Sequence, residues 1–326
     1  MEYLDTSLAE ELPDTVLEVI LSKVPEDDIL KCSLVCRTWR EIITRKSFWK
    51  IRFKNRRIPW EEVPKHVRDK PKGWMILYAH LRYRILSKNY IQNPSGHNQF
   101  EGWTILPNDG LEWRVEQVPQ NCSPLPAPVS NIFERNDESC FVPAFEWCSK
   151  YYWIDIRKEG LTPSLLKLLL PIQINCSQMY TARYDCCGGV FSWELRLLNS
   201  QEKILSNYES PTVELSSTTE WHTAQYSFQF GSEDEELVQD LRYIVFSHEG
   251  RDTQWWAGRG QFAMKFARSC VTFEALETEP ERNGVVEHLA EFGKDGGRNS
   301  LQERNRNYEN LMCFHPNYDD DDDERK

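Results

Sequence analysis

Along the first fifty residues, apolar side chains recur at helical spacing. Leu12, Val16, Ile20 and Val24 stand four apart, with Leu17 and Leu21 beside them, which predicts one apolar stripe on a helix. Pro13 suits the first turn, where a missing N–H costs nothing, and Asp14 complements the positive helix start. Pro25 ends that helix. Glu26, Asp27 and Asp28 then open another, carrying Ile29, Leu30, Leu34 and Val35. A third piece holds Trp39, Ile42 and Ile43, and Phe48-Trp49 closes the unit. A unit this small has little interior for so many large apolar side chains, and below roughly 40 residues a chain rarely folds unaided. Part of this surface is therefore expected to bury on a partner.

Residues 44–90 hold 14 Lys/Arg against three Asp/Glu, interleaved with Trp60, Trp74, Tyr78 and Tyr83. Basic and aromatic groups together suit single-stranded nucleic acid. The other reading is a set of linker helices with a solvated basic face and aromatics turned toward the next domain. No RNP or zinc-finger pattern accompanies the charge, which favours the linker.

From about residue 90 the period becomes two. Phe191, Trp193, Leu195 and Leu197 alternate with polar residues, as do Tyr226, Phe228 and Phe230. The same alternation is read in Leu241, Tyr243 and Val245, in Phe262, Met264 and Phe266, and in Val271 and Phe273. Such strands, parted by Gly188-Gly189, Gly231-Ser232 and Gly258, predict an all-β antiparallel sandwich. One helical turn interrupts it, with Thr162 as cap, Pro163 in the first turn and Leu165 to Leu170 following. The resulting fold class is multi-domain: a small all-α unit followed by a sandwich. Past residue 276 the chain turns polar and ends in Asp319–Asp323 and Glu324, a composition that predicts a disordered acidic tail.

Composition narrows the function classes. A net charge of −12 over 326 residues argues against general nucleic-acid binding, which shows a basic domain. No apolar run approaches the ~18 residues of a membrane span, so no membrane insertion is expected. The first ten residues lack the charged start and apolar core of a secretory signal. Without one, the ten cysteines are read as reduced thiols, and their spacing offers no zinc pattern, so no metal or cofactor is expected. No Walker loop, GxSxG elbow or HExxH motif occurs, and no His pairs with a nucleophile, so the chain is read as non-catalytic.

Two sets of motifs carry a resemblance. Leu12-Pro13-Asp14, then Leu17 to Pro25, then Val35-Cys36-Arg37-Thr38-Trp39-Arg40 resemble an F-box, the adaptor-binding motif of SCF ubiquitin ligase receptors. Asn93-Pro94-Ser95-Gly96, Trp103, Trp113-Arg114-Val115-Glu116, Phe145-Glu146-Trp147-Cys148 and Gln254-Trp255-Trp256-Ala257-Gly258 resemble the F-box-associated (FBA) domain of sugar-recognising F-box proteins. The division implied is an F-box over 9–53, basic linker helices over 54–90, a jelly-roll-like FBA sandwich over 91–276, and the tail over 277–326.

What the resemblance implies is a substrate receptor. The F-box would dock on a Skp-type adaptor, and through it on cullin and RING subunits, using Leu12, Pro13, Val16, Leu17, Ile20, Leu21, Val35, Cys36 and Trp39. The sandwich loops would bind the chitobiose core of high-mannose N-glycans on misfolded glycoproteins in ER-associated degradation. That work is cytoplasmic and extends to the cytosolic face of the endoplasmic reticulum. Trp256 would stack on a core sugar, with Trp255 beside it, Phe145 opposite and Ala257 at the rim. Trp offers the largest flat apolar surface with one N–H, which suits a sugar ring's C–H face. The family's best binders have Tyr at the place of Trp255 and Lys at that of Ala257, so a charged donor is missing here. Two other readings stay open: an F-box receptor whose sandwich binds protein targets without glycan, and a cytosolic lectin or holdase acting apart from the ligase.

Overall fold

A computed structural model describes residues 12–107, 113–128, 132–133, 137–185, 188–216, 218, 220–253 and 263–279. The chain opens with helices α1 (Asp14–Leu21), α2 (Glu26–Cys32), α3 (Arg37–Thr44), α4 (Lys46–Arg56), α5 (Lys65–Arg68) and α6 (Gly73–Tyr83). Pro13 and Pro25 stand at the starts of α1 and α2, with acidic residues in each first turn. The Cys36 thiol caps α3 by accepting the Trp39 N–H at 3.5 Å. Leu17, Leu21, Ile29, Ile42, Ile43, Phe48, Trp49 and Phe53 fill the interior. The Trp49 indole donates to the Ile43 carbonyl at 2.7 Å, so its one polar atom is satisfied where it is buried.

The single stripe expected on α1 is two. Leu17 and Leu21 point inward, while Leu12, Val16, Val19 and Ile20 are exposed. The basic stretch is helical, and Val63, Val67, Ile76, Leu77 and Ala79 bury its apolar side. Much of its charge is spent locally. Arg52 pairs with Glu26, Arg84 with Glu62, Lys88 with Glu159, and both Lys46 and Lys65 with Asp69.

Eleven strands follow among the described residues: β1 (Trp103–Ile105), β2 (Arg114–Glu116), β3 (Cys140–Val142), β4 (Cys148–Asp155), β5 (Ile172–Ala182), β6 (Gly189–Leu198), β7 (Ile204–Glu209), β8 (Val213–Leu215), β9 (His222–Phe230), β10 (Tyr243–Asp252) and β11 (Met264–Ala275). They form two antiparallel sheets. One has the order β1-β4-β10-β6-β7, with β8 also on β6, and the other β2-β3-β11-β5-β9. Helix α7 (Pro163–Leu169) follows β4, and α8 (Glu235–Asp240) precedes β10. At α7 the Thr162 hydroxyl accepts the Leu165 N–H at 3.3 Å, behind Pro163.

The alternation read for β6 holds, with Phe191, Trp193, Leu195 and Leu197 all inward. In β10 the phase is reversed. Ile244, Phe246 and His248 face the core, whereas Tyr243 pairs beside Asp155 and Val245 beside Arg196 on the outer side. The run Tyr243-Ile244-Val245-Phe246 is apolar at every position, so only its register against β4 and β6 sets the phase. The described cysteines are free thiols. The acidic tail beyond residue 279 lies outside the described residues.

Candidate functional site

Two surfaces collect the residues singled out by sequence. The first lies on the N-terminal helices. Leu12, Val16, Val19, Ile20, Leu30, Leu34 and Val35 are all exposed, with Leu34 at 75% and Val35 at 64%. Pro13 and Cys36 are exposed beside them, and Trp39 is half-buried against the core. Leu17 and Leu21, expected to meet a partner, are 3% and 1% exposed and belong to the interior. Val19, Leu30 and Leu34 were not among the expected adaptor contacts. Their signal was a large apolar residue off the core stripe of a short helix.

The fold supports this surface from beneath. The buried Arg52 guanidinium donates to the carbonyls of Leu21, Ser22 and Val24 and to the Glu26 carboxylate, the last two at 2.7 and 2.9 Å. It thereby closes the end of α1 and fixes the corner from which α2 departs. Arg56 also pairs with Glu26, and these partners hold the Glu26 carboxyl below its ordinary range against the cost of burial. An exposed apolar surface set on a rigid corner is the pattern of a protein-binding face.

The second surface is one end of the sandwich. Phe145, half-buried, sits in the loop between β3 and β4. The Ala144 N–H donates to the Cys148 thiol at 3.4 Å, and that thiol donates to the Glu146 carbonyl at 3.4 Å, which ties the loop back on itself. Trp147 lies against the Arg251 guanidinium at 5.1 Å. Trp255, Trp256 and Ala257 fall within 254–262, outside the described residues.

The frame on either side of 254–262 is described, and Asp252 organises it. Its N–H donates to the Ala144 carbonyl at 3.2 Å, which links it to the Phe145 loop. Its Oδ1 accepts the N–H groups of Ala263 and Met264 at 2.8 and 3.3 Å, so one carboxylate oxygen joins the two ends of the intervening segment. Thr253 adds N–H and hydroxyl bonds to the Gly188 carbonyl at 3.1 and 2.9 Å. Burial pushes the Asp252 carboxyl up to about 7, and the two backbone donors only partly offset it. Sequence reasoning missed Asp252, because a lone acid beside aromatic residues carries no pattern.

The comparisons agree on both parts of the chain. The description of the F-box associated region matches residues 81–273, and that of the F-box-like motif matches residues 9–55. The chain belongs to the F-box proteins that carry an F-box associated region. Human F-box only protein 17 is 30% identical, with the match covering 78% of this chain and 89% of that one. Human F-box only protein 6 is 29% identical over 76% and 78%, and Bos taurus F-box only protein 2 is 27% identical over 83% and 85%. As an F-box protein with this domain pair, the chain is a substrate-receptor subunit of the SCF class of ubiquitin ligase. Among the described residues, no helix is long and apolar enough to cross a membrane.

Proposed function

We propose that this F-box protein captures N-glycosylated, misfolded polypeptides in the cytoplasm, up to the cytosolic face of the endoplasmic reticulum. It presents them for ubiquitin transfer by a cullin–RING assembly reached through a Skp-type adaptor. The adaptor would seat on the exposed side of α1 to α3, around Leu12, Pro13, Val16, Ile20, Leu34, Val35 and Cys36. The chitobiose core of a high-mannose glycan would seat at the sandwich end, with Trp256 stacked on a sugar, Trp255 beside it, Phe145 facing it and Ala257 at the rim. The observation that carries this reading is the Asp252 frame. It ties Asp252, Ala263 and Met264, which flank 254–262, to Ala144 beside Phe145, and this supports seating Phe145 and the two tryptophans at one end of the sandwich.

A glycan array probed with the whole chain tests the reading. Retention on high-mannose and chitobiose-bearing glycans, competed by free chitobiose, is the expected result. Silence across the array, with adaptor co-purification intact, would leave an F-box receptor whose sandwich reads protein. The replacement of the family's Lys by Ala257 is the feature that favours that second reading, since a lost charged hydrogen bond costs about 1.5–3 kcal/mol.

A further inference from the structure

Among the described residues the two sheets end at four edges, and three of these are protected against further pairing. β1 and β2 are three residues each, and β2 carries Arg114 and Glu116. The third edge, β7 with β8, is broken at Ser210-Pro211-Thr212, shifts register at Leu197–Leu198 and carries Glu209 and Glu214. Shortness, charge, proline and irregular pairing are the usual means of keeping an edge strand from joining another chain.

β9 has none of them. It runs nine residues, His222–Phe230, without Lys, Arg, Asp, Glu or Pro, and pairs with β5 at every position without a shift. On its other side it pairs with no strand among the described residues. A straight, uncharged edge of that length is a template for strand addition.

The outer face beside that edge selects the strand that fits. Gln173 Nε2 donates to Asn175 Oδ1 and to the Ser227 hydroxyl, the latter at 3.3 Å. That hydroxyl donates to Asn175 Oδ1 at 2.7 Å, and Gln229 Nε2 donates to Gln173 Oε1 at 2.8 Å. Asn175 Nδ2 completes the ladder by donating to the Glu274 carboxylate at 3.0 Å. The ladder thus crosses from β11 through β5 onto β9, where Thr223 and Gln225 stand exposed on the same face. Hydroxyls and side-chain amides each donate and accept. A second β9, running antiparallel, brings the same groups to the same face, so like meets like without repulsion and the ladder continues across the join.

We infer that β9 is a self-association edge, on which a second copy of this chain pairs antiparallel about a two-fold axis. Two five-stranded sheets then become one. His222 lies beside Tyr180, at the end of the sandwich where Ala182 pairs with Met264, so the two Asp252 ends point in opposite directions. The pair carries two adaptor faces and two sandwich ends, and a client with two separated attachment points gains by effective concentration rather than by new contacts. The pairing is independent of what the sandwich end binds.

Sedimentation velocity of the whole chain across a dilution series tests it, with hydrogen exchange followed in parallel over residues 222–230. The comparison variant is Thr223→Lys with Gln225→Lys, which charges two exposed positions and leaves the core untouched. Expected for the wild type is a concentration-dependent mixture of one and two chains, with β9 amide exchange slowing as pairs form. Like charges across the join should weaken pairing about tenfold or more in the variant, at an unchanged melting temperature. Raising the salt should tighten the wild-type pair. It screens the repulsion between two chains of charge −12 each, and the strand has no ion pairs to lose. Single chains at every concentration overturn the inference, as does a pair that the lysines leave intact or that salt weakens. Pairs whose β9 exchange does not change with concentration overturn it even where the variant proves unfolded. Protection of β9 that appears only on adding a client polypeptide overturns it as well, and assigns the edge to a foreign strand.

Discussion

The Nζ of Lys150 lies 3.2 Å from the centre of the Trp103 indole and 3.5 Å from that of the Phe141 ring, wholly buried between the two sheets. Its cross-strand partner His248 is stacked between Trp103 and Trp113, at 5.3 and 5.0 Å. Among the described residues neither Lys150 Nζ nor the His248 nitrogens meet a hydrogen-bond partner. Burial holds the lysine well below its ordinary value, and burial with the nearby Lys150 does the same to the histidine.

Lys150→Met should therefore stabilise the protein. The unfolded chain carries a charged lysine up to about pH 10.4, whereas the folded one releases that proton at lower pH. Over that window the unfolded state binds more protons, so wild-type stability should rise with pH. The substitution should add on the order of 1–4 kcal/mol near neutrality, the range seen when buried charged groups give way to apolar ones. It should also flatten the rise. Denaturant unfolding of both proteins from about pH 6 to about pH 9 checks it; an unchanged slope in the variant would sink the idea.

Asp252 should show the opposite dependence. Its folded value, about 7, lies above the ordinary 3.8 of a free aspartate. Between those limits the folded state holds the extra proton, so this carboxyl's contribution to stability falls as pH rises across the window. Asp252→Asn keeps an acceptor for Ala263 and Met264 but cannot ionise. The difference in unfolding free energy between variant and wild type should move in the variant's favour from pH 4 to pH 7, matching the values that set the window. A flat difference would mean that the carboxyl titrates normally.

How far the chain announced this structure varies by element. The inward residues of β6 and the cap and proline of α7 were legible, because period two and first-turn chemistry are local signals. The phase of β10 was not, since Tyr243 to Phe246 is apolar throughout and only pairing with β4 and β6 resolves it. On α1 the pattern showed apolar residues without showing which side they serve. Leu17 and Leu21 are buried in the same core as Ile42 and Phe48, while Val16 and Ile20 are exposed, and that follows from where α3 and α4 pack. Lys150 and Lys265 could not be read as core at all. Their burial depends on rings contributed by β1 and β3 in one case and on Glu116 at 2.6 Å in the other.

Arg52 offers a sharp test of how the F-box corner is held. Removing its side chain leaves three carbonyls and the Glu26 carboxylate short of a donor inside the helical unit. Breaking a buried charged pair from one side costs about 3–5 kcal/mol. Arg52→Met should therefore unfold the N-terminal helices and abolish adaptor co-purification. Arg52→Lys should rescue poorly, because one ammonium cannot replace a planar fork spanning several acceptors. Protease sensitivity of residues 12–56 beside adaptor pull-down reads both effects.

The exposed and buried faces of the F-box should separate cleanly. Leu34→Asp with Val35→Asp alters side chains that are mostly in solvent, so the melting temperature should hold while adaptor recovery is lost. Leu12→Ala with Pro13→Ala should act the same way. Leu17→Ala, by contrast, opens a cavity and should cost about 2–5 kcal/mol. Full adaptor recovery from the Leu34 and Val35 pair would place the docking face elsewhere.

The last prediction concerns Phe145 and Trp256 together. If both face one sugar, each alanine substitution should weaken glycoprotein binding by about five- to a hundredfold, taking aromatic stacking at on the order of 1–3 kcal/mol by analogy with nucleobases. Because the two would share a ligand, their losses should not add, and the double variant should lose less than the product of the singles. Ala257→Lys should strengthen chitobiose binding if the missing donor limits it. The melting temperature separates the outcomes. Phe145 is half-buried in a loop already tied by Ala144 and Cys148, so its removal should cost little stability. Strict additivity, measured by calorimetry with a high-mannose glycopeptide, would show that the two rings serve separate contacts. Unfolding of the Trp256→Ala protein would show that ring to be part of the core and remove it from the site.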